Sequence, residues 1–162
     1  IYIKKEETCF CKKIMQQLDS GLKDDQVLYV NFHPILHGAV QLDAYQHILP
    51  FPTEVSNYEF LNCADALITD YSSIYIDYLL TDKPMIFLPY DRQQYLDGRG
   101  MNFDYDDVTP GPKPETFNDF LDALSPKEDF WKSERTRVNR LFNEIQHPCA
   151  ADICNKVLKM IW

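Results

Sequence analysis

The stretch ALITDYSSIYIDYLLTDKPMIFLPYD, residues 66–91, decides the fold class. Its two short apolar runs, residues 66–69 and 85–88, are typical of buried strands. Between them, residues 74–80 form an apolar helical segment, which the proline at position 84 separates from the second strand. A strand, a helix and a second strand in this order predict a parallel β-α-β unit.

Strand and helix patterns also alternate outside this unit. They predict helices at residues 7–18 and 56–63, and short strands at residues 26–32 and 46–49. Residues 98–114 are predicted to be one long loop, and helical segments occupy residues 115–162. The fold class is therefore α/β, a Rossmann-like parallel sheet flanked by helices, in a single domain over residues 1–162.

Composition is that of a globular protein and argues against two kinds of partner. The chain has 162 residues, of which 45% are hydrophobic and 25% charged, enough for one ordinary core. Its net charge of -9 repels a polyanion, so we expect no nucleic-acid partner. No apolar run approaches the roughly 20 residues of a membrane span. Because the first residue is Ile1, we expect this chain to be a piece of a longer protein.

The five cysteines do not predict a metal site. The pair Cys9 and Cys11 and the pair Cys149 and Cys154 both lack the spacing of zinc ligands. An odd number of cysteines favours free thiols in a reducing compartment.

Polar clusters follow three of the predicted strands. They occupy residues 31–34, 69–73 and 89–91. Ligands of open parallel sheets bind beyond the carboxyl ends of the strands, so we expect the binding site there. The chain has no P-loop, no dinucleotide-binding glycine pattern and no nucleophile elbow.

Ser72 and Ser73 stand where the helix after the second buried strand should begin. Capping of the helix explains a serine pair at this position. The same geometry also suits a phosphate, because a helix N-terminus offers free N–H groups and partial positive charge.

Three further side chains have a structural and a functional interpretation each. Asp77 lies four residues after Ser73 on one helix face, and could bind a backbone N–H, an arginine or a ligand hydroxyl. His33 follows a strand, where an imidazole could be structural, contact phosphate or transfer a proton. Arg99 stands in a glycine-containing loop and could grip phosphate or pair with nearby carboxylates. These carboxylates are Asp97, Asp104, Asp106 and Asp107.

In this order, the clusters resemble the CDP-glycerol:poly(glycerophosphate) glycerophosphotransferase family, the teichoic-acid polymerases and their relatives. The matching strings are His33-Pro34, Ala64-Asp-Ala-Leu-Ile-Thr-Asp-Tyr-Ser-Ser-Ile74 with Asp77, Asp82-Lys-Pro-Met-Ile-Phe87, Tyr90-Asp91, Tyr95, Arg99-Gly100 and Gly111-Pro112.

The resemblance implies the donor-binding C-terminal lobe of a two-lobed enzyme of the GT-B glycosyltransferase type. The implied reaction transfers a polyol phosphate from CDP-glycerol or CDP-ribitol to a lipid-linked or polysaccharide acceptor, with release of CMP. It implies no cofactor and no metal. It also implies work at the cytoplasmic face of the cell membrane, as a peripheral protein that contacts the membrane through parts outside this chain. The lobe alone is expected to be inactive, because the general base belongs to the other lobe.

Carried over to this sequence, the resemblance implies catalytic roles for His33, Asp77 and Arg99. It implies substrate-binding roles for Pro34, Thr69, Asp70, Ser72, Ser73, Asp91 and Gly100. Two alternatives stay open: a lobe of another GT-B glycosyltransferase that uses a UDP- or GDP-sugar, and a non-catalytic binding module on the same fold.

Overall fold

The computed structural model of the chain describes residues 7–31, 42–144 and 149–161. The chain divides into two compact units, an N-terminal unit of Ile1–Ser56 and a C-terminal unit of Asn57–Trp162. The single domain over residues 1–162 stays a prediction.

The N-terminal unit contains one helix and two short strands in its described residues. Helix α1 spans Glu7–Gly21, strand β1 spans Leu28–Val30 and strand β2 spans Ile48–Pro50. The two strands pair in parallel, with Leu28 opposite Ile48. The predicted helix and both predicted strands are confirmed in type, although each strand is only three residues long.

The Asp19 carboxylate ties α1 to the start of β2. It accepts hydrogen bonds from the backbone N–H groups of His47 at 2.6 Å and Gln46 at 3.0 Å. Burial raises the pKa of Asp19, but these N–H donors outweigh burial and hold the pKa below its usual value.

In the C-terminal unit, strands β3 (Leu67–Thr69) and β4 (Met85–Phe87) pair in parallel, with Leu67 opposite Met85. The helices that the structure describes here are α2 (Asn57–Cys63), α3 (Ile74–Tyr78), α4 (Arg92–Gly98), α5 (Tyr105–Val108), α6 (Phe117–Ala123), α7 (Lys132–Phe142) and α8 (Ala150–Ile161). A 3-10 helix, Leu79–Thr81, follows α3. The parallel β-α-β unit predicted from residues 66–91 is confirmed.

The core of the C-terminal unit forms where α3, β4 and α7 pack together. Its buried members are Tyr75, Tyr78, Leu79, Met85, Phe87, Tyr105 and Val138. All three residues of β4 are buried, as expected of a strand covered by other elements.

The prediction of one long loop over residues 98–114 is wrong, because helix α5 lies inside it. The carboxylate of Asp104 caps this helix by accepting a hydrogen bond from the Asp106 N–H at 2.9 Å. Tyr105 and Val108 are buried and anchor the short helix in the core. Burial of two side chains therefore overrides a sequence rich in loop-forming residues.

Beyond α5, the chain returns to β4 and runs against its backbone. The Phe87 N–H donates to the Pro112 carbonyl at 3.0 Å. A Cβ atom added to Gly111 would lie 2.2 Å from the Met85 carbonyl oxygen, so only glycine allows this approach.

Arg135 of α7 is a charged side chain in the interior, with 2% of its side chain exposed. Its guanidinium donates to the Asp129 carboxylate, at 2.8 Å for one of the two contacts. It also donates to the Asp82 carbonyl at 3.0 Å. Asp82 has a left-handed backbone with φ of 53°, so Arg135 also fastens a strained turn before β4.

Residues 150–160 of helix α8 are exposed, including the apolar side chains of Ile153, Val157, Leu158 and Met160. None of the helices in the described ranges is long and apolar enough to cross a membrane.

Candidate functional site

Two turns lie side by side at the carboxyl edge of the β3–β4 sheet. The first turn, residues 70–73, follows β3, and the second, residues 88–91, follows β4. The Leu88 N–H donates to the Thr69 carbonyl at 2.8 Å and fixes the two strand ends beside each other. This edge of the C-terminal unit therefore carries the polar groups that the sequence predicts for a site.

The serine turn is held by local hydrogen bonds. Asp70 Oδ1 accepts from the Ser72 N–H at 3.2 Å, and Ser72 Oγ accepts from the Ile74 N–H at 3.5 Å. Ser73 occupies the N-cap position of α3, but its side chain forms no capping hydrogen bond. The capping interpretation is therefore wrong for the Ser73 hydroxyl, which is exposed.

Helix α3 is only five residues long. A helix this short has a small summed dipole, so its N-terminus offers less positive charge than the sequence suggested. Any attraction for an anion at this turn must come mainly from hydroxyl groups and from cations on neighbouring elements.

A set of tyrosine rings joins the two turns. The ring of Tyr71 stacks on that of Tyr95 in α4, with centroids 4.0 Å apart and planes 21° apart. The Tyr105 hydroxyl donates to the Asp70 carbonyl at 2.9 Å. Burial of the hydroxyl and then the carboxylates of Asp91 and Asp70 raise the pKa of Tyr90 to about 12, although its ring is largely exposed. The tyrosines thus bring Asp70 and Asp91 into one neighbourhood.

Arg99 lies at the end of α4, next to these rings. Its guanidinium carbon is 6.0 Å from the centroid of the Tyr95 ring, within the range of a cation–π contact. The side chain is exposed, and it forms no salt bridge to any residue that the structure describes. The next residue, Gly100, has φ of 68° and closes the helix through a hydrogen bond from its N–H to the Leu96 carbonyl.

Two of the four acids that could have paired with Arg99, Asp104 and Asp106, lie next to other cations. Asp106 accepts from Arg92 at 2.9 Å and lies 3.6 Å from Lys113 Nζ. Asp104 lies 3.8 Å from Arg92. The salt-bridge interpretation of Arg99 is therefore wrong for Asp104 and Asp106, and their partner Arg92 was not among the predicted site residues. The signal was available, since Arg92 directly follows the polar cluster after β4.

Asp77 does not share this neighbourhood. It is exposed and lines an open cavity of about 460 Å³ together with residues of α2, of the 3-10 helix and of the turn before β4. In this cavity Lys83 Nζ donates to the carbonyls of Asn62 at 2.8 Å and Ala64 at 2.7 Å. In a largely apolar helix a carboxylate needs a partner or a polar cleft, and the exposed Asp77 lines such a cleft beside Lys83.

The predicted site residues thus fall into three groups by position. Seven of them lie on the two turns, on the strand β3 or at the end of α4: Thr69, Asp70, Ser72, Ser73, Asp91, Arg99 and Gly100. Asp77 lines a different cavity. His33 and Pro34 lie outside the described residues. The roles of all these residues stay predictions.

The chain belongs to the family described as CDP-Glycerol:Poly(glycerophosphate) glycerophosphotransferase, whose sequence model matches residues 7–162. It is 28% identical over 141 residues to a teichoic acid poly(ribitol-phosphate) polymerase of Bacillus spizizenii, covering 85% of this chain and 22% of the relative. It is 34% identical over 99 residues to a teichoic acid glycerol-phosphate primase of Bacillus subtilis, covering 59% of this chain and 25% of the relative.

Among solved structures, the wall teichoic acid polymerase TagF is similar, with a TM-score of 0.74 and 26% identity. The similarity covers 91% of this chain and 38% of TagF. A variant of TagF soaked with CDPG has the same TM-score and identity. The chain spans well under half the length of each of these relatives.

Proposed function

We propose that this chain is the donor-binding lobe of a CDP-glycerol or CDP-ribitol glycerophosphotransferase of the two-lobed GT-B type. The observation that carries the proposal is the stacking of Tyr71 on Tyr95 at 4.0 Å. This contact puts two exposed serines and the exposed Arg99 guanidinium on the same sheet edge. Membership of the family and the TagF structure soaked with CDPG support the choice of a CDP-linked donor.

In this proposal, the phosphates of the donor bind at the serine turn. The hydroxyls of Ser72 and Ser73 donate to phosphate oxygens, and Thr69 and Gly100 line the pocket. His33 donates to the same phosphates. The Arg99 guanidinium grips the β-phosphate, where a local cation is needed because the chain carries a net charge of -9.

The reaction that we propose is a phosphoryl transfer. An acceptor hydroxyl oxygen forms a bond to the β-phosphorus of the donor, while the bond from this phosphorus to the bridging oxygen breaks. CMP leaves with the bridging oxygen and the electron pair of the broken bond. The acceptor proton passes to a base of the other lobe, and Arg99 stabilises the charge that develops during transfer.

We further propose a lipid-linked polymer as the acceptor and the cytoplasmic face of the cell membrane as the place of work. The names of the relatives, which are teichoic acid polymerases and primases, support a polymer product. Contact with the membrane would involve parts of the protein beyond this chain.

Titration calorimetry of the 162-residue chain with CDP-glycerol, CDP-ribitol, CMP and UDP-glucose tests the proposal. We expect the cytidine ligands to bind weakly and UDP-glucose not to bind. Arg99→Ala should weaken CDP-glycerol binding about tenfold or more, because a charge-assisted contact to phosphate is lost. Ser73→Ala should weaken it about threefold to tenfold through one lost hydrogen bond.

Arg140→Ala is the matched control, because this exposed arginine of α7 changes the net charge equally and should leave binding unchanged. Preference for UDP-glucose would assign the chain to another GT-B transferase. Absence of heat with every cytidine ligand at millimolar concentration would contradict donor binding by this chain. Turnover by the isolated chain would contradict the need for a second lobe.

A further inference from the structure

Two buried polar atoms at the sheet edge stand without a hydrogen-bond partner among the residues that the structure describes. They are the hydroxyl oxygen of Tyr71 and the Oδ1 atom of Asp91. Buried polar groups rarely stay unpaired, since each has lost its contact with water. These two groups are also chemically complementary, because a phenol donates a hydrogen bond and a carboxylate can only accept one.

The two side chains are neighbours. Both residues contact Tyr95, since the Tyr71 ring stacks on its ring and the Asp91 carbonyl accepts from its N–H. Burial and then the Asp91 carboxylate raise the pKa of Tyr71 well above its ordinary value, in agreement with this placement. Asp91 is also free for this contact, because it precedes α4 but forms no side-chain capping hydrogen bond with that helix.

Both residues occupy positions from which they can control the site. Tyr71 lies in the turn after β3, directly before Ser72, and its ring stacks on Tyr95 of α4. The backbone carbonyl of Asp91 accepts from the Tyr95 N–H at 3.0 Å. The Tyr95 carbonyl in turn accepts from the Arg99 N–H at 2.8 Å. A continuous set of contacts therefore runs from the serine turn through α4 to Arg99.

We propose that the Tyr71 hydroxyl donates to the Asp91 carboxylate, and that this pair positions α4, and with it Arg99, against the serine turn. Tyr71 and Asp91 are then positioning residues of the donor pocket. This inference rests on the proposed function and changes the role expected of Asp91. Its buried Oδ1 atom faces the protein, so the carboxylate acts on the donor through Arg99.

Hydrogen exchange of the ligand-free chain tests the pair without any donor. Tyr71→Phe removes only the hydroxyl group, and we expect the amides of Tyr95 and Arg99 to exchange about tenfold faster. Asp91→Asn should have a smaller effect in the same direction, because an amide oxygen still accepts a hydrogen bond. Tyr75→Phe is the control, since it removes a hydroxyl from the same aromatic cluster and should leave these amides unchanged. Unchanged exchange in Tyr71→Phe would overturn the pair.

Ligand titrations test positioning. Tyr71→Phe should weaken binding of CDP-glycerol about tenfold but that of CMP less than twofold, because CMP lacks the β-phosphate assigned to Arg99. In an Arg99→Ala background, Tyr71→Phe should add little. Equal weakening of both ligands, or full additivity, would overturn positioning through Arg99. If the wild-type chain binds neither ligand, the proposed function fails, whereas the exchange rates still decide whether the pair exists.

Discussion

Gly111→Ala is expected to destabilise the C-terminal unit by about 3–5 kcal/mol, near the upper end for single substitutions. The added Cβ would lie 2.2 Å from the Met85 carbonyl oxygen and 3.1 Å from the Phe87 ring. Met85 belongs to β4, which is buried throughout and cannot shift without disturbing the core. Moving the glycine segment instead would break the hydrogen bond from Phe87 N–H to the Pro112 carbonyl. Urea denaturation monitored by circular dichroism measures the loss.

Gly98→Ala is the matched control, because a Cβ at this position meets no atom within 4 Å. Gly98 ends helix α4, and alanine there should stabilise the unit by roughly 0.5–1 kcal/mol. Equal stabilities for the two variants would contradict the close approach of Gly111 to β4.

Asp129→Ala is expected to destabilise the C-terminal unit by about 2–4 kcal/mol, because it leaves the buried Arg135 charge without its main partner. Arg135→Met should destabilise the unit less than Asp129→Ala does. It removes the buried charge itself, and the carboxylates that remain at Asp129 and Asp82 are 39% and 51% exposed and regain water. The double variant should therefore match Arg135→Met closely. Denaturant midpoints of the three variants check this order.

The loss of stability in Asp129→Ala should also depend on pH. The hydrogen bond from Arg135 holds the pKa of Asp129 below its usual value. A carboxylate with a depressed pKa stabilises the fold above the unfolded pKa of about 3.9, and this stabilisation fades as pH falls through the folded pKa. The difference in stability between the wild type and Asp129→Ala should accordingly narrow below about pH 4.

As a control, Lys132→Ala removes an exposed contact to Asp82 at 3.9 Å and should change stability by less than about 0.5 kcal/mol. A larger loss in Arg135→Met than in Asp129→Ala would contradict the burial argument.

Whether a segment forms a helix or a strand could be predicted from local pattern, because short apolar runs and helical periodicity show which residues are buried. The strands at Leu67–Thr69 and Met85–Phe87 and the helix between them followed from residues 66–91 alone. Helix α5 could not be predicted in this way. Its four residues lie in a loop-like sequence, and it forms because Tyr105 and Val108 find a core that no local pattern reveals.

The candidate site was likewise predictable in part. Its position at the carboxyl edge of β3 and β4 follows from the order of polar clusters after parallel strands. The pairing of its side chains does not follow from this order, since pairing depends on distances between residues that are far apart in the chain. Local sequence placed Arg92 beside the polar cluster but could not show that Arg92, and not Arg99, pairs with Asp106, or that Asp77 lines another cavity.

The sequence by itself determined the parallel α/β class and the sheet edge where polar groups gather, because these depend on order and periodicity along the chain. The family was indicated by the resemblance of its motif strings, such as residues 64–74. Only the tertiary structure decided which arginine pairs with Asp106, which carboxylate oxygen is buried and which glycine touches a strand. Burial and pairing are properties of neighbours in space, and tyrosine rings from three separate segments, at Tyr71, Tyr95 and Tyr105, establish those neighbours here.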